Sequence, residues 1–163
     1  MNFKFTSVKA YTLLTAGSIL HNAEEAFTMK GLEVKSSIAF IQPPTYSQFL
    51  VAVSILTIAV AVAYIVAIRS KNPKIYLFIS TAVAAALLFN VIVPHLVGTI
   101  YNCGYTPGVA AAVLLNLPFS LAVLVKNKPL FADRKQMLRY IMLGMLAGYF
   151  LFAAVMGLVK ILF

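Results

Sequence analysis

The sequence has little charge and almost no cysteine. Only 10% of its 163 residues are charged, only four are acidic, and the one cysteine is Cys103. Soluble globular domains carry about 25% charged residues, so this composition excludes that class. A single cysteine excludes an intrachain disulfide. Apolar residues make up 62% of the chain and its mean hydropathy is +0.95, which is the composition of an integral membrane protein.

Long apolar runs divide the chain into segments that could cross a membrane. A crossing needs about 20 mostly apolar residues. We therefore predict an all-α integral membrane bundle, a single domain over residues 1–163 with five transmembrane helices. These helices are predicted near residues 9–29, 48–69, 75–101, 109–126 and 137–162. The first is the weakest, because its uninterrupted apolar run, Ala10–Leu20, is too short to span alone, and a removable signal peptide is its alternative interpretation.

Basic residues orient the predicted helices. With the N-terminus in the cytoplasm, ten of the 13 lysines and arginines lie on the cytoplasmic side and three lie outside. The cytoplasmic ten are Lys4, Lys9, Arg69, Lys71, Lys74, Lys126, Lys128, Arg134, Lys135 and Arg139, and the outer three are Lys30, Lys35 and Lys160. This asymmetry predicts a multi-pass plasma membrane protein with a cytoplasmic N-terminus and an outer C-terminus. The net charge of +9 does not indicate nucleic-acid binding, because the charges fall in short clusters between apolar runs.

Polar residues of the first predicted helix follow a single stripe. The nine residues ILHNAEEAF, 19–27, hold one of the two histidines and two of the four acids. Ser18, His21 and Glu25 recur at helical spacing, with Glu24 beside them. A carboxylate that faces lipid costs about 3 kcal/mol or more. The stripe is therefore expected to face the interior of the bundle.

The second histidine lies at the same predicted depth in the membrane. His95 comes near the outer end of the third predicted helix, and Thr99 and Asn102 share its face. Pro94, directly before it, should loosen the backbone hydrogen bonding of that helix. We expect the two histidines to meet in one polar site in the outer leaflet.

Three short sequence elements together resemble a known family. They are HNAEE at residues 21–25, the second histidine at His95, and YTPG at residues 105–108. In this order and at these spacings, the chain is similar to the HXXEE-domain proteins, small membrane proteins with no assigned biochemical function. The resemblance implies which residues to watch and supplies no reaction. Those residues are His21, Glu24, Glu25, His95, Tyr105, Pro107 and Gly108.

The side chains of the predicted site suit a divalent transition metal. An imidazole and a carboxylate one turn apart on a helix, with a second imidazole from another helix, form a donor set for zinc, iron or manganese. His21, Glu25 and His95 would bind the metal, and Glu24 would act as general base or as a further ligand. His21, Glu24 and Glu25 are the predicted catalytic residues of a metal-dependent, hydrolase-like enzyme with a lipid-like or amphipathic substrate. The predicted substrate contacts are Tyr105, Asn102, Thr99, Asn90 and Ser18.

Three other roles are compatible with the same residues. Without a metal, a glutamate one turn from a histidine could move protons on a lipid-soluble substrate, as isomerases of sterol or isoprenoid type do. The same groups could form a proton or cation relay in a small transporter. They could also be a hydrogen-bonded pair that only joins two helices.

Two further segments predict contacts rather than chemistry. GMLAG, with Gly144 and Gly148, is a small-residue surface for close helix packing, either within the chain or in a homodimer. The segment Lys30–Ser47, with Pro43 and Pro44, is expected to form an interfacial or re-entrant cap over the site.

Overall fold

The chain folds into a bundle of helices. The computed structural model describes residues 3–30 and 44–162, and these residues form helices and short connections with no strand. The helices are α1 (Phe3–Thr28), α2 (Tyr46–Arg69), α3 (Pro73–Tyr101), α4 (Val109–Leu130) and α5 (Arg134–Leu162). The all-α prediction is confirmed, and each predicted helix falls on one of these five. The predicted cap at Lys30–Ser47 falls largely on residues 31–43, which lie outside the described residues.

Polar side chains cap the N-termini of two helices. The hydroxyl of Thr45 accepts a hydrogen bond from the backbone N–H of Gln48 (3.2 Å), and the Gln48 side chain accepts one from Thr45 N–H (2.8 Å). Asn72 accepts from Lys74 N–H (2.9 Å) at the start of α3, with Pro73 in the first helical position. These bonds satisfy N–H groups that the first turn of a helix cannot pair.

Four of the five helices are long and apolar enough to cross a membrane. They are α2, α3, α4 and α5. The prediction of five membrane spans is therefore wrong for α1 by this criterion. The physical reason is the polar content at both ends of α1. Lys4 and Lys9 near its start, and His21, Glu24 and Glu25 near its end, lower the hydropathy of a helix that is long enough at 26 residues.

α1 nevertheless lies against α4 along its whole length. Near its start, the Ser7 hydroxyl donates to the side-chain oxygen of Asn127. In its middle, a Cβ added at Gly17 would lie 3.1 Å from the side chain of a leucine of α4. Near its end, Glu24 accepts from the backbone N–H of Ala111 (2.6 Å). The two helices are thus antiparallel, and the polar stripe of α1 is sheltered by the bundle.

A hydrogen-bonded cluster joins α1, α3 and α4 at one end of the bundle. The Asn127 amide donates to the hydroxyls of Ser80 (2.9 Å) and Thr81 (3.0 Å). The Ser7 hydroxyl lies 2.8 Å from that of Tyr76. All five side chains are buried, so each hydrogen bond replaces one that water would otherwise make.

The same end carries most of the positive charge. Short connections join α2 to α3 and α4 to α5 there, and eight of the 13 basic residues lie within or near them. They are Arg69, Lys71, Lys74, Lys126, Lys128, Arg134, Lys135 and Arg139. We call this the basic end, and we call the opposite end, where α3 connects to α4, the site end.

α3 and α4 each depart from the regular α-helix toward the site end. In α3 the helix is kinked within Val91–Leu96, because Val93 leaves helical geometry (φ −126°, ψ 115°) just before Pro94. The predicted loosening at this proline is confirmed. In α4 the segment Ala112–Asn116 is π-helical, and it contacts the kinked segment of α3. Widened turns of the π type are frequent at functional sites.

Gly144 and Gly148 bring α5 against α3. A Cβ added at Gly144 would lie 2.4 Å from the Cα of Ala82, and one at Gly148 would lie 2.7 Å from the Cβ of Ala86. Glycine permits this close approach of two helix backbones. The small-residue contact is therefore made within the chain, and a homodimer would have to use another face.

Replacing Gly144 with alanine should destabilise the bundle, because the added methyl group would overlap the Ala82 backbone and push α3 from α5. Over-packing of this kind costs about 1–3 kcal/mol. We expect a lower melting temperature of the detergent-solubilised protein. Gly157→Ala is the matched control, since a Cβ at Gly157 of the same helix meets nothing within 4 Å. Equal melting of the two variants would contradict the close contact.

Candidate metal centre

Side chains from α1 and α3 meet at the site end. Among the described residues, His21, Glu25 and His95 form a group whose ligand atoms all lie within 4.8 Å of one another. His21 Nε2 is 3.9 Å from Glu25 Oε2, one turn further along α1. The two imidazole rings meet edge to face, with centroids 4.6 Å apart and planes at 88°. The fold thus brings three of the predicted ligands into one group.

A backbone carbonyl holds His21 in one tautomer. Its Nδ1 lies 2.9 Å from the carbonyl oxygen of Gly108. Because a carbonyl can only accept, Nδ1 must carry the proton, and the neutral ring then has its lone pair on Nε2. Backbone carbonyls orient metal-binding histidines in the same way.

The lone pair of His21 and the carboxylate of Glu25 are both hydrogen-bond acceptors. They lie 3.9 Å apart, and neither can donate to the other unless a proton is added. The contact becomes favourable when a positive charge lies between them. The side chain of Glu25 is 20% exposed, so this point of the group remains reachable.

His95 is fully buried, and its imidazole interacts with the backbone of Pro107. Its exposed fraction is 0%, and within the described residues neither Nδ1 nor Nε2 makes a hydrogen bond of normal geometry. Buried polar atoms in proteins almost always have partners, so such an atom points to a ligand, a water molecule or an ion. His95 lies against His21, and it completes a set of two imidazoles and one carboxylate.

The chemistry of these donors suits a small cation, and their spacing is wider than that of the ligands of a bound ion. Tetrahedral zinc with bonds of about 2.0–2.1 Å holds its ligand atoms about 3.3 Å apart. The three donors here are separated by 4.8 Å at most. Catalytic zinc sites commonly use two histidines and one glutamate and keep a fourth position for water or substrate. Iron and manganese accept similar donors.

Glu24, adjacent to Glu25 in the sequence, lies outside this group. Its Oε1 accepts from the Tyr105 hydroxyl and from Ala110 N–H (3.3 Å), and its Oε2 accepts from Ala111 N–H (2.6 Å). Its negative charge thereby lies at the N-terminus of α4, where the helix dipole favours it. Both oxygens of Glu24 already accept hydrogen bonds, and its role as ligand or general base stays a prediction. Glu24 instead anchors α4 to α1.

Tyr105 lies in the connection between α3 and α4 and is 57% exposed. Partial burial raises the pKa of its phenol, and the hydrogen bond to Glu24 raises the pKa further. The hydroxyl therefore keeps its proton at neutral pH and remains a donor to the carboxylate. Tyr105, predicted to contact substrate, lies at the rim of the site and helps to hold Glu24.

Gly108 covers one side of the three candidate ligands. Its φ of +80° is in the left-handed region that glycine adopts freely. A Cβ added here would lie 2.8 Å from His21 Cε1, 3.1 Å from His95 Cε1 and 3.2 Å from Glu25 Cβ. The loop backbone therefore touches all three side chains, and there is no room for a larger residue.

Further polar side chains lie below the group, toward the middle of the bundle. Both amide atoms of Asn116 and the hydroxyl of Ser120, one turn later on α4, are buried and have no hydrogen-bond partner among the described residues. Ser18 is buried on α1, and the Asn90 amide interacts with the His21 imidazole. We call these four residues the polar floor. The sequence analysis did not place Asn116 or Ser120 at the site, although two polar residues at helical spacing in an apolar segment are a usable signal.

The remaining predicted substrate contacts lie on α3 beyond His95. The Thr99 hydroxyl is buried and has no hydrogen-bond partner in the part of the chain that the structure describes. Asn102 is exposed at the C-terminal end of the helix. Thr99 can therefore face a ligand from inside the bundle, whereas Asn102 lies at its outer rim.

Comparison with known proteins finds the same motif elsewhere. A family described as "Protein of unknown function with HXXEE motif" matches residues 12–123. "Uncharacterized protein YrkK" of Bacillus subtilis (strain 168) is 30% identical over 105 residues, which are 64% of this chain and 66% of that protein, just under two thirds of its length. No solved structure matches the chain. The family match includes His21, Glu25, His95 and Gly108.

Gly108→Ala should displace the two histidines, because the new Cβ would overlap both rings in a backbone conformation that costs alanine about 1–2 kcal/mol. We expect a lower melting temperature and an altered ¹⁵N NMR spectrum of the histidine rings. Gly104→Ala in the same connection is the control, since its Cβ would meet only a backbone oxygen at 3.6 Å. Unchanged histidine signals in Gly108→Ala would contradict the packing described here.

Proposed function

This chain belongs to the HXXEE family, and we propose that it is a membrane-embedded, metal-dependent enzyme with hydrolase-like chemistry. His21, Glu25 and His95 hold one divalent transition metal, which is zinc, iron or manganese. The substrate is a lipid-like or amphipathic molecule of the plasma membrane.

One observation carries the metal proposal: three hydrogen-bond acceptors converge in one sheltered group of the described residues. They are Nε2 of His21, the carboxylate of Glu25 and the unprotonated nitrogen of His95. A water molecule has only two hydrogens to donate, so it leaves one of the three without a partner. A divalent cation binds all three at once and offsets the charge of the sheltered carboxylate.

The chemistry of the proposal follows from this donor set. When bound, such a metal activates water and polarises an ester or amide carbonyl. Two neutral imidazoles and one carboxylate offset only one of its two positive charges, so the centre still attracts a carbonyl oxygen. Gly108 orients His21 through its carbonyl group, and Asn116 and Ser120 offer hydrogen bonds to polar groups of a substrate.

The surrounding helices support a substrate that dissolves in the membrane. α3 and α4, which flank the site, are both candidate spans. A molecule dissolved in the bilayer would therefore reach the site more readily than a molecule dissolved in water. The basic end would face the cytoplasm under the positive-inside rule. That orientation puts the N-terminus inside, the C-terminus outside and the metal centre toward the outer leaflet.

A metal-free acid–base function is the second candidate. The contact between His21 and Glu25 favours it, because a proton on either group would remove the repulsion between two acceptors 3.9 Å apart. Such a pair could move a proton on a lipid-soluble substrate, as an isomerase does. This candidate gives the buried imidazole of His95 no part in the reaction.

Metal analysis of tag-free protein purified in mild detergent should find close to one transition-metal ion per chain. His95→Ala should lose most of the bound metal. Mutation of groups that only hydrogen-bond to metal ligands lowers metal affinity by about 10–100-fold, and removal of a ligand itself should lower it further. Inductively coupled plasma mass spectrometry measures the stoichiometry. Titration with Co²⁺, followed by its visible absorption, measures the affinity.

Glu24→Gln is the matched control for the metal measurement. It alters the neighbouring acid, which binds α4, and leaves the three donors in place. It should keep most of the metal and lower the melting temperature. Equal metal in the wild type and in His95→Ala, or no metal in either folded protein, would contradict the metal centre.

The reaction class has a separate test. Protein in phosphatidylcholine nanodiscs should hydrolyse members of a panel of fatty-acyl esters and amides, and a chelator should abolish this activity until the metal is restored. Glu25→Gln should be inactive, because it loses the only carboxylate among the three donors. Full activity of a metal-free preparation would favour the acid–base candidate instead.

A further inference from the structure

A second candidate binding site lies at the basic end, far from the histidines. A cavity of about 230 Å³ opens there between the first turns of α3 and the end of α4. It is lined by Pro73, Lys74, Tyr76, Leu77 and Leu130. None of these residues belongs to the proposed metal centre, so the two sites can be tested independently.

The walls of this cavity are apolar and its opening is basic. Tyr76 is buried and its hydroxyl bonds to Ser7, so its polar atom is already satisfied within the bundle. Leu77 and Leu130 provide aliphatic surface, whereas the exposed Lys74 is the single charged residue of the lining. The cavity therefore pairs a site for hydrocarbon with a site for an anion.

The charges near the cavity are almost all positive. Seven other lysines and arginines lie within or near the two connections at this end, including Lys128, two residues before Leu130. The nearest acid in the sequence is Asp133, and its carboxylate accepts from Gln136 N–H (2.7 Å) at the start of α5. The local field thus attracts anions to the mouth of an apolar cavity.

The position of the cavity along the helices matches the border between headgroups and hydrocarbon. Pro73 is the first residue of one candidate span, and Leu130 is the last residue of another. Near the same level, the Tyr140 ring lies between those of Phe78 (5.0 Å) and Phe131 (5.5 Å). Tyrosine is enriched at this border in membrane proteins. A molecule in the cavity would have one end at the headgroup level and the other beside acyl chains.

We propose that this cavity binds one anionic phospholipid. Its phosphate lies at Lys74 in the field of the neighbouring basic residues, and the first part of an acyl chain lies against Leu77 and Leu130. A free phosphate ion would leave the apolar walls unused, and a zwitterionic lipid would gain little from the positive field. The combination of an apolar lining with a basic mouth therefore selects an anionic lipid over both.

Native mass spectrometry of the full chain, released from nanodiscs of mixed phosphatidylglycerol and phosphatidylcholine, tests this site. The wild type should retain one phosphatidylglycerol in preference to phosphatidylcholine. Lys74→Gln should lower that retention by about fivefold, which is the effect expected for one lysine near an anionic headgroup. Leu130→Trp should also lower retention, because the larger ring fills the cavity without changing the charge.

Lys71→Gln is the matched control. Lys71 is exposed three residues before Lys74 and does not line the cavity, so its replacement should leave retention nearly unchanged. Equal losses in Lys71→Gln and Lys74→Gln would mean that only the general surface charge attracts lipid, and would overturn the proposal. Equal retention of phosphatidylcholine would overturn it, as would displacement of the lipid by inorganic phosphate. None of these outcomes depends on the metal content of the protein.

Discussion

The carboxylate of Glu24 bound to the first turn of α4 is the interaction on which the site end depends. Two backbone N–H groups and one phenol donate to this single, partly exposed acid, so its charge is satisfied at the N-terminus of α4. The bond fixes where α4 begins, and Gly108 is the residue just before that first turn. Through Gly108 the position of α4 sets the tautomer of His21 and the space around His95.

The two ends of the bundle use similar polar residues in opposite ways. At the basic end, Asn127 and its neighbours donate to and accept from one another, and the cluster joins three helices. Toward the site end, Asn116, Ser120 and His95 are as well buried, but their side chains make no hydrogen bond of normal geometry to the described residues. A satisfied buried network stabilises a fold, whereas groups left without partners cost stability. This contrast distinguishes the two groups of polar residues more clearly than residue type does.

Hydropathy and spacing predicted the helices and the meeting of the two histidines, because lipid forces polar side chains on separate helices toward a common interior. The assignment of α1 as a span was wrong, since the polar residues near both of its ends lower the same hydropathy on which the prediction rests. The different roles of Glu24 and Glu25 could not be predicted. Adjacent residues project about 100° apart on a helix. Which of the two glutamates meets the N–H groups of α4 depends on where the first turn of α4 lies relative to α1. The pattern of side chains in the sequence does not give that position.

Tertiary contacts also decided features that the sequence left open. The small-residue surface of α5 could equally have served a homodimer, and only the approach of Gly144 to Ala82 shows that it is used within the chain. The unusual φ of Gly108 follows from its place between three side chains, whereas YTPG alone predicts only a turn.

The contact of Gly108 with all three candidate ligands determines the side from which the group is accessible. Its backbone covers them from the loop side, so a molecule descending along the bundle axis meets a peptide group before it meets an imidazole. The partial exposure of Glu25 shows that the group is still reachable. The loop side of the group is therefore closed by this peptide group, and Glu25 is the member of the group that stays partly open to its surroundings.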